Sequence, residues 1–224
     1  MRILFCNIAW MKYYKGDAKG NDHPQGGGSF VAENQYAHEE FNFHPVNLSN
    51  EGFGDEEYCL GFVETKSTNH ETMNQLKIEK ISGCSLCTGE DSVEDVTVVY
   101  CARYPWSEKR ETVVVGWYGH ATVFRTYEEI PFEEGRLGRE GYTQYYNAIA
   151  RKEDCVLLPI SERRQNRWNV PRKSAKYAKY GFGQSNVWFA NDIGNEELQN
   201  FLRRIEEGIT SYSGEDWLNK YPEA

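Results

Sequence analysis

The stretch that most constrains the fold runs from Val96 to Thr126. It places Val96-Thr97-Val98-Val99-Tyr100-Cys101-Ala102 and Thr112-Val113-Val114-Val115-Gly116-Trp117-Tyr118 on either side of a polar connector through Pro105 and Trp106. Gly119-His120 and Ala121-Thr122-Val123-Phe124-Arg125-Thr126 follow. β-branched and aromatic side chains crowd a helix but suit a pleated surface. The pattern predicts strand, loop, strand, tight turn at Gly119-His120, strand: an antiparallel meander. Shorter runs of the same character predict strands at Ile3–Trp10, Tyr58–Glu64, Leu76–Ile81, Tyr145–Ala150, Cys155–Leu158 and Asn186–Ala190. Helical spacing occurs near the end of the chain, where Leu198, Phe201, Leu202, Ile205 and Ile209 form one apolar stripe over 196–212. Asn195 is placed to cap it. The reading is a single α+β domain over 1–224, with a curved or barrel-like, mainly antiparallel sheet and a C-terminal amphipathic helix. Long irregular segments are expected at 15–29, 45–57 and 161–183, and loops of that length in a compact domain are more often functional than idle.

Charge is distributed unevenly. The whole chain carries −9, yet 160–180 holds seven basic residues against one acid, Glu162, so this stretch carries +6 and the remainder −15. An acidic body argues against indiscriminate coating of nucleic acid, whereas a local basic stretch permits a focused site. No run reaches 18 apolar residues, so no membrane partner is expected. The first strand is too short for a secretory signal. The six cysteines are therefore expected as free thiols in a reducing cytoplasm.

Several chemistries can be weighed on spacing. Cys84-Ser85-Leu86-Cys87 lacks the second ligand pair of a structural zinc site, so no metal and no cofactor is expected. Asp55, Glu64 and Lys66 provide the two carboxylates and the lysine of a Mg²⁺-dependent nuclease; solvated charges at a strand end explain them as well. No P-loop, nucleophile elbow or zinc-protease motif occurs. A grouping of flat rings, amides and cations is more informative. Nucleic acids need cations at phosphates, aromatic planes at base faces, and amides or hydroxyls at base edges. Arg163, Arg164, Arg167, Arg172 and Lys173 are the expected phosphate contacts. Trp10, Tyr13, Tyr14 and Trp168 are expected as stacking surfaces, with Trp117 and Trp188 as pocket floor or core. Asn42, Gln184, Ser185 and Asn186 are expected at base edges.

The runs Ile3–Gly16, Gly27–Phe30, Glu40–Phe43, Val113–Arg125, Val170–Arg172 and Gly181–Trp188 are similar to a bacterial module found at the N-terminus of restriction or defence nucleases. Its meander resembles the EVE/YTH/PUA-like group, whose members hold a flipped or single-stranded modified base in an aromatic cage. The resemblance implies non-catalytic recognition of modified nucleic acid, DNA favoured, in a restriction or defence setting. It carries no nuclease domain within this chain, so any effector nuclease would be a separate partner. A nuclease built on Asp55, Glu64 and Lys66 is the first alternative, and a protein-interaction subunit the second.

Overall fold

A computed structural model describes residues 1–16, 20–26, 37–65, 75–109, 111–132, 142–174, 178–191 and 194–222. The chain is α+β. The strands are β1 (Ile3–Ile8), β2 (Val46–Asn47), β3 (Glu57–Gly61), β4 (Ser92–Arg103), β5 (Thr112–Phe132), β6 (Tyr142–Arg151), β7 (Cys155–Leu157), β8 (Asn169–Val170) and β9 (Val187–Trp188). They form one sheet of order β2-β3-β6-β5-β4-β1-β9, with β7 and β8 also paired to β5. Every pairing is antiparallel except β1 with β4, which run parallel from Ile3 opposite Thr97 to Ile8 opposite Ala102. The helices are α1 (Ile160–Arg163) and α2 (Glu196–Thr210). The expected cap of α2 is present, the Asn195 side chain accepting from the Leu198 amide at 3.1 Å.

The central hairpin departs from expectation. Gly119-His120 makes no turn, because β5 continues straight through it for 21 residues. Two opposed bulges absorb the irregular residues instead. Between Val93 opposite Val123 and Val96 opposite Ala121, β4 carries one extra residue; between Val96 and Val98, β5 carries one. Asp95 and His120 occupy these bulges with φ of 57° and 47°, and their side chains hydrogen-bond at 2.8 Å. Such paired bulges increase local twist without breaking the strand. A further offset of β5 against β6 between Val123 and Glu128 bends the sheet again. The sheet is open, its strand order ending at β2 and β9, and not closed into a barrel. A side-chain hydrogen bond, Asn186 Nδ2 to Glu64 Oε2 at 3.2 Å, spans from the tail of β3 to the residue before β9.

Other boundaries shift for local reasons. Leu76–Ile81 forms a 3₁₀ turn rather than a strand, its buried Ile78 and Ile81 being three residues apart. β1 stops at Ile8, beyond which Trp10 bridges Gln25. Only Val187 and Trp188 of the last expected strand are paired. The basic segment, expected to be irregular, contains α1, a 3₁₀ turn and β8. The sheet buries both faces. Leu4, Cys6 and Ile8 of β1 join one apolar cluster, while Ile3 and Phe5 join another under α2 with Trp117, Trp168, Leu198, Phe201 and Ile205. Gly208 of α2 lies flat on the Trp168 ring, where an added Cβ would come within 3.2 Å.

Candidate nucleic-acid interface

Because β1 and β4 are parallel, their carboxyl ends lie side by side, and the chain after each forms the same edge of the molecule. Lys12 to Tyr14 follow β1 as a locked loop. The buried Asp22 carboxylate accepts from the amides of Lys12, Tyr13 and Tyr14. Glu39 accepts from the Ala9 amide at 2.9 Å, and the Tyr14 hydroxyl donates to the Ala9 carbonyl. Arg163 completes the lock. It is fully buried and donates to the carbonyls of Leu158 (2.8 Å), Met11 (2.7 Å) and Lys12 (2.7 Å), with Trp10 and Tyr14 packed against its guanidinium. Burial lowers its pKa to about 10, still charged at neutral pH.

This arrangement corrects much of the expected site. Trp10, Tyr14 and Trp168 are sealed in the core and Tyr13 is buried against Trp217, so none offers a free stacking face. The loop residues became core because Asp22 and Arg163 satisfy their backbone, which lets the rings turn inward. Trp117 stacks on Trp168 at 5.5 Å as core, and half-buried Trp188 packs between Phe5 and Phe201. Asn42 reads no base edge, since its buried amide clamps both the N–H and the carbonyl of Phe62 at 2.9 Å. Asn147 holds Val63 in the same way. Arg163 is consumed by carbonyls, and Arg167 is paired with Glu162 at 2.6 Å. Asp55 and Glu64 lie beyond opposite ends of β3, whose five residues alone span about 16 Å, too far to share a metal ion. Lys66 and Gly27–Phe30 lie outside the described residues.

Some expected residues do converge. Arg172 donates to Thr112 Oγ1 and to Asn7 Oδ1, each at 2.9 Å. Asn7 in turn meets Asn186, whose main-chain carbonyl accepts from the Asn7 amide at 2.7 Å. Asn186 then reaches Glu64. A polar chain thus runs across the carboxyl end of β1, and half-burial lowers the pKa of Arg172. Gln184, Ser185, Arg164 and Lys173 are exposed.

Trp106, absent from the expected site, is the most exposed ring among the described large hydrophobic residues. Trp106, in the connector between β4 and β5, is 63% exposed. It is braced by T-shaped contacts to Trp10 (6.2 Å) and Tyr104 (5.5 Å), and the Arg164 guanidinium lies 5.6 Å from the centre of the Tyr104 ring. Its setting between Pro105 and Ser107, in a charged connector, was the available signal. Comparison with protein-family models, curated proteins and solved structures finds no match for this chain.

Proposed function

We propose that this chain is a non-catalytic recognition domain for nucleic acid, with its binding face at the carboxyl ends of β1 and β4. The observation that carries the reading is Trp106, a large indole packed against the Trp10 and Tyr104 rings yet mostly exposed, with the Arg164 guanidinium over the same Tyr104 ring. Exposed tryptophans braced by aromatic neighbours suit base stacking, which every base can supply. Arg164 and Lys173, with the half-buried Arg172 behind them, would meet phosphates. Gln184 and Ser185 would meet base edges as exposed amide and hydroxyl, the Ser185 oxygen also accepting from the Val187 amide at 3.0 Å. DNA bearing a modified base, a restriction or defence setting and a separate partner nuclease belong to the proposal through the sequence resemblance. So does a cytoplasmic location, to which the six free thiols lend support. No helix among the described residues is long and apolar enough to cross a membrane.

The test is binding to methylated, hydroxymethylated, glucosylated and plain oligonucleotides, with and without Mg²⁺. Trp106→Ala should keep the wild-type unfolding temperature and lose about 1–3 kcal/mol of binding, roughly 5- to 150-fold in Kd. Arg164→Ala with Lys173→Ala should weaken all ligands alike and reduce the salt slope by about two. Wild-type affinity in the Trp106 variant, or no binding of any oligonucleotide at low salt, would refute the proposal.

A further inference from the structure

Cys84 and Cys87 are the first and last residues of a tight turn, the Cys87 amide donating to the Cys84 carbonyl at 2.9 Å. Such a turn keeps its end Cα atoms within about 7 Å, the separation a disulfide can span. The two thiols are close enough that Cys87 affects the ionisation of Cys84. They differ in access: Cys84 is buried and Cys87 is half-exposed, on a turn whose next tip residue, Leu86, is 95% exposed. The turn is anchored rather than loose. Arg125 donates to the carbonyls of Cys87 (2.8 Å), Thr88 (3.1 Å) and Glu90 (2.8 Å), and to the Glu79 carboxylate. Arg2 adds positive charge beside Cys84, opposing the upward push of burial on that thiol. Neighbouring cations favour thiolate.

Two other neighbouring thiols, Cys59 and Cys155, are both buried in the core. Beside the Cys84–Cys87 turn, by contrast, an open groove of about 630 Å³ runs between α2 and the segment before the turn. Ser85, Lys80 and Arg203 line it. The groove offers room, and its lining sets the cations Lys80 and Arg203 among the carboxylates Glu79 and Glu206, a mixed-charge surface suited to the carboxylates and amines of a small peptide disulfide.

We propose that Cys84 and Cys87 form a redox-active dithiol that exchanges with low-molecular-weight disulfides such as oxidised glutathione. Cys87, as thiolate, attacks one sulfur of the small disulfide, forming a mixed disulfide and releasing one thiolate. Cys84 then loses its proton to solvent and attacks the Cys87 sulfur, closing the Cys84–Cys87 bond and releasing the second thiolate. Both thiolates take up a proton. Two protein thiols are oxidised, one small disulfide is reduced to two thiols, and no other oxidant is needed.

The experiment equilibrates the full chain with reduced and oxidised glutathione at graded ratios, quenches it by alkylation under native conditions and maps the peptides by mass spectrometry. Metal content is measured on the same protein, purified without added metal. The expected result is joint loss of both thiols in a single linked peptide, reversed by dithiothreitol. Cys6, Cys59, Cys101 and Cys155 should become alkylated only after denaturation. Cys84→Ser should stop at glutathione joined to Cys87, and Cys87→Ser should leave Cys84 unreacted. Wild-type protein that stops at the mixed disulfide, or keeps both thiols at oxidising ratios, would overturn the proposal. So would one equivalent of zinc that shields both cysteines from alkylation.

Discussion

Replacing Arg163 with alanine should cost the fold dearly and not act through ligand charge. The guanidinium supplies three hydrogen bonds to main-chain carbonyls, of which those of Leu158 and Met11 are fully enclosed, while that of Lys12 lies at a partly buried edge. A buried acceptor left without its donor costs about 1–3 kcal/mol, so the two enclosed carbonyls contribute about 2–6 kcal/mol. Lost packing of the stem and head against Trp10 and Tyr14 adds about 1 kcal/mol. At about 2–4 °C per kcal/mol for a chain of this size, a loss near 5 kcal/mol lowers Tm by about 10–20 °C. Thermal unfolding followed by circular dichroism measures this directly. Arg163→Lys keeps the charge but not the planar fork, and should recover only part of the loss. The exposed neighbour Arg164→Ala serves as control, with an expected effect within about 0.5 kcal/mol. An Arg163→Ala protein melting within about 3 °C of wild type would show that the lock contributes nothing.

Two further perturbations probe the same packing. Lys15 is buried, donates to the carbonyls of Phe43 and Leu218, and has its pKa lowered from 10.5 to about 8, chiefly by burial. Above pH 8 the unfolded chain binds more protons at Lys15 than the folded one, so its contribution to stability rises with pH up to about 10.5. The urea-unfolding free energy of wild type relative to Lys15→Met should move in favour of wild type by about 2 kcal/mol between pH 7 and about pH 9.5, and a constant difference would contradict the placement of Lys15. Gly116→Ala should destabilise by about 3 kcal/mol or more, because its Cβ would meet the Val156 carbonyl oxygen at 2.3 Å and the Phe43 ring at 2.7 Å. Wild-type stability by the same assay would mean that β5 and β7 do not approach this closely.

The amino-acid sequence by itself determined the class of fold. Side chains branched at Cβ, repeated through Val96–Ala102 and Thr112–Tyr118, favour strands wherever they lie, and the stripe from Leu198 to Ile209 has one helical face to bury. Asn195 was legible as a cap because capping is local, its side chain reaching an amide three residues away. Gly119-His120 carried an equally local turn signal, which tertiary structure overrode: pairing along both edges of β5, together with the Asp95–His120 bulge pair, made a continuous strand the better use of its hydrogen bonds. The candidate site divides in the same way. Its basic segment and the polar group of Arg172 and Asn186 could be read as residue types, but their partner Asn7 is 165 and 179 residues distant, respectively, in the chain. Whether a ring faces water is not written in its neighbours. Trp10 and Trp168 have polar residues close by in sequence, yet Arg163, more than 150 residues away, and the nearer Asp22 satisfy the backbone after Trp10 and allow it to be buried, while α2 covers Trp168. Trp106 is left outside because the sheet end beneath it is already filled by Trp10 and Tyr104. Exposure depends on which distant side chains occupy the space first, and only the tertiary structure decides that.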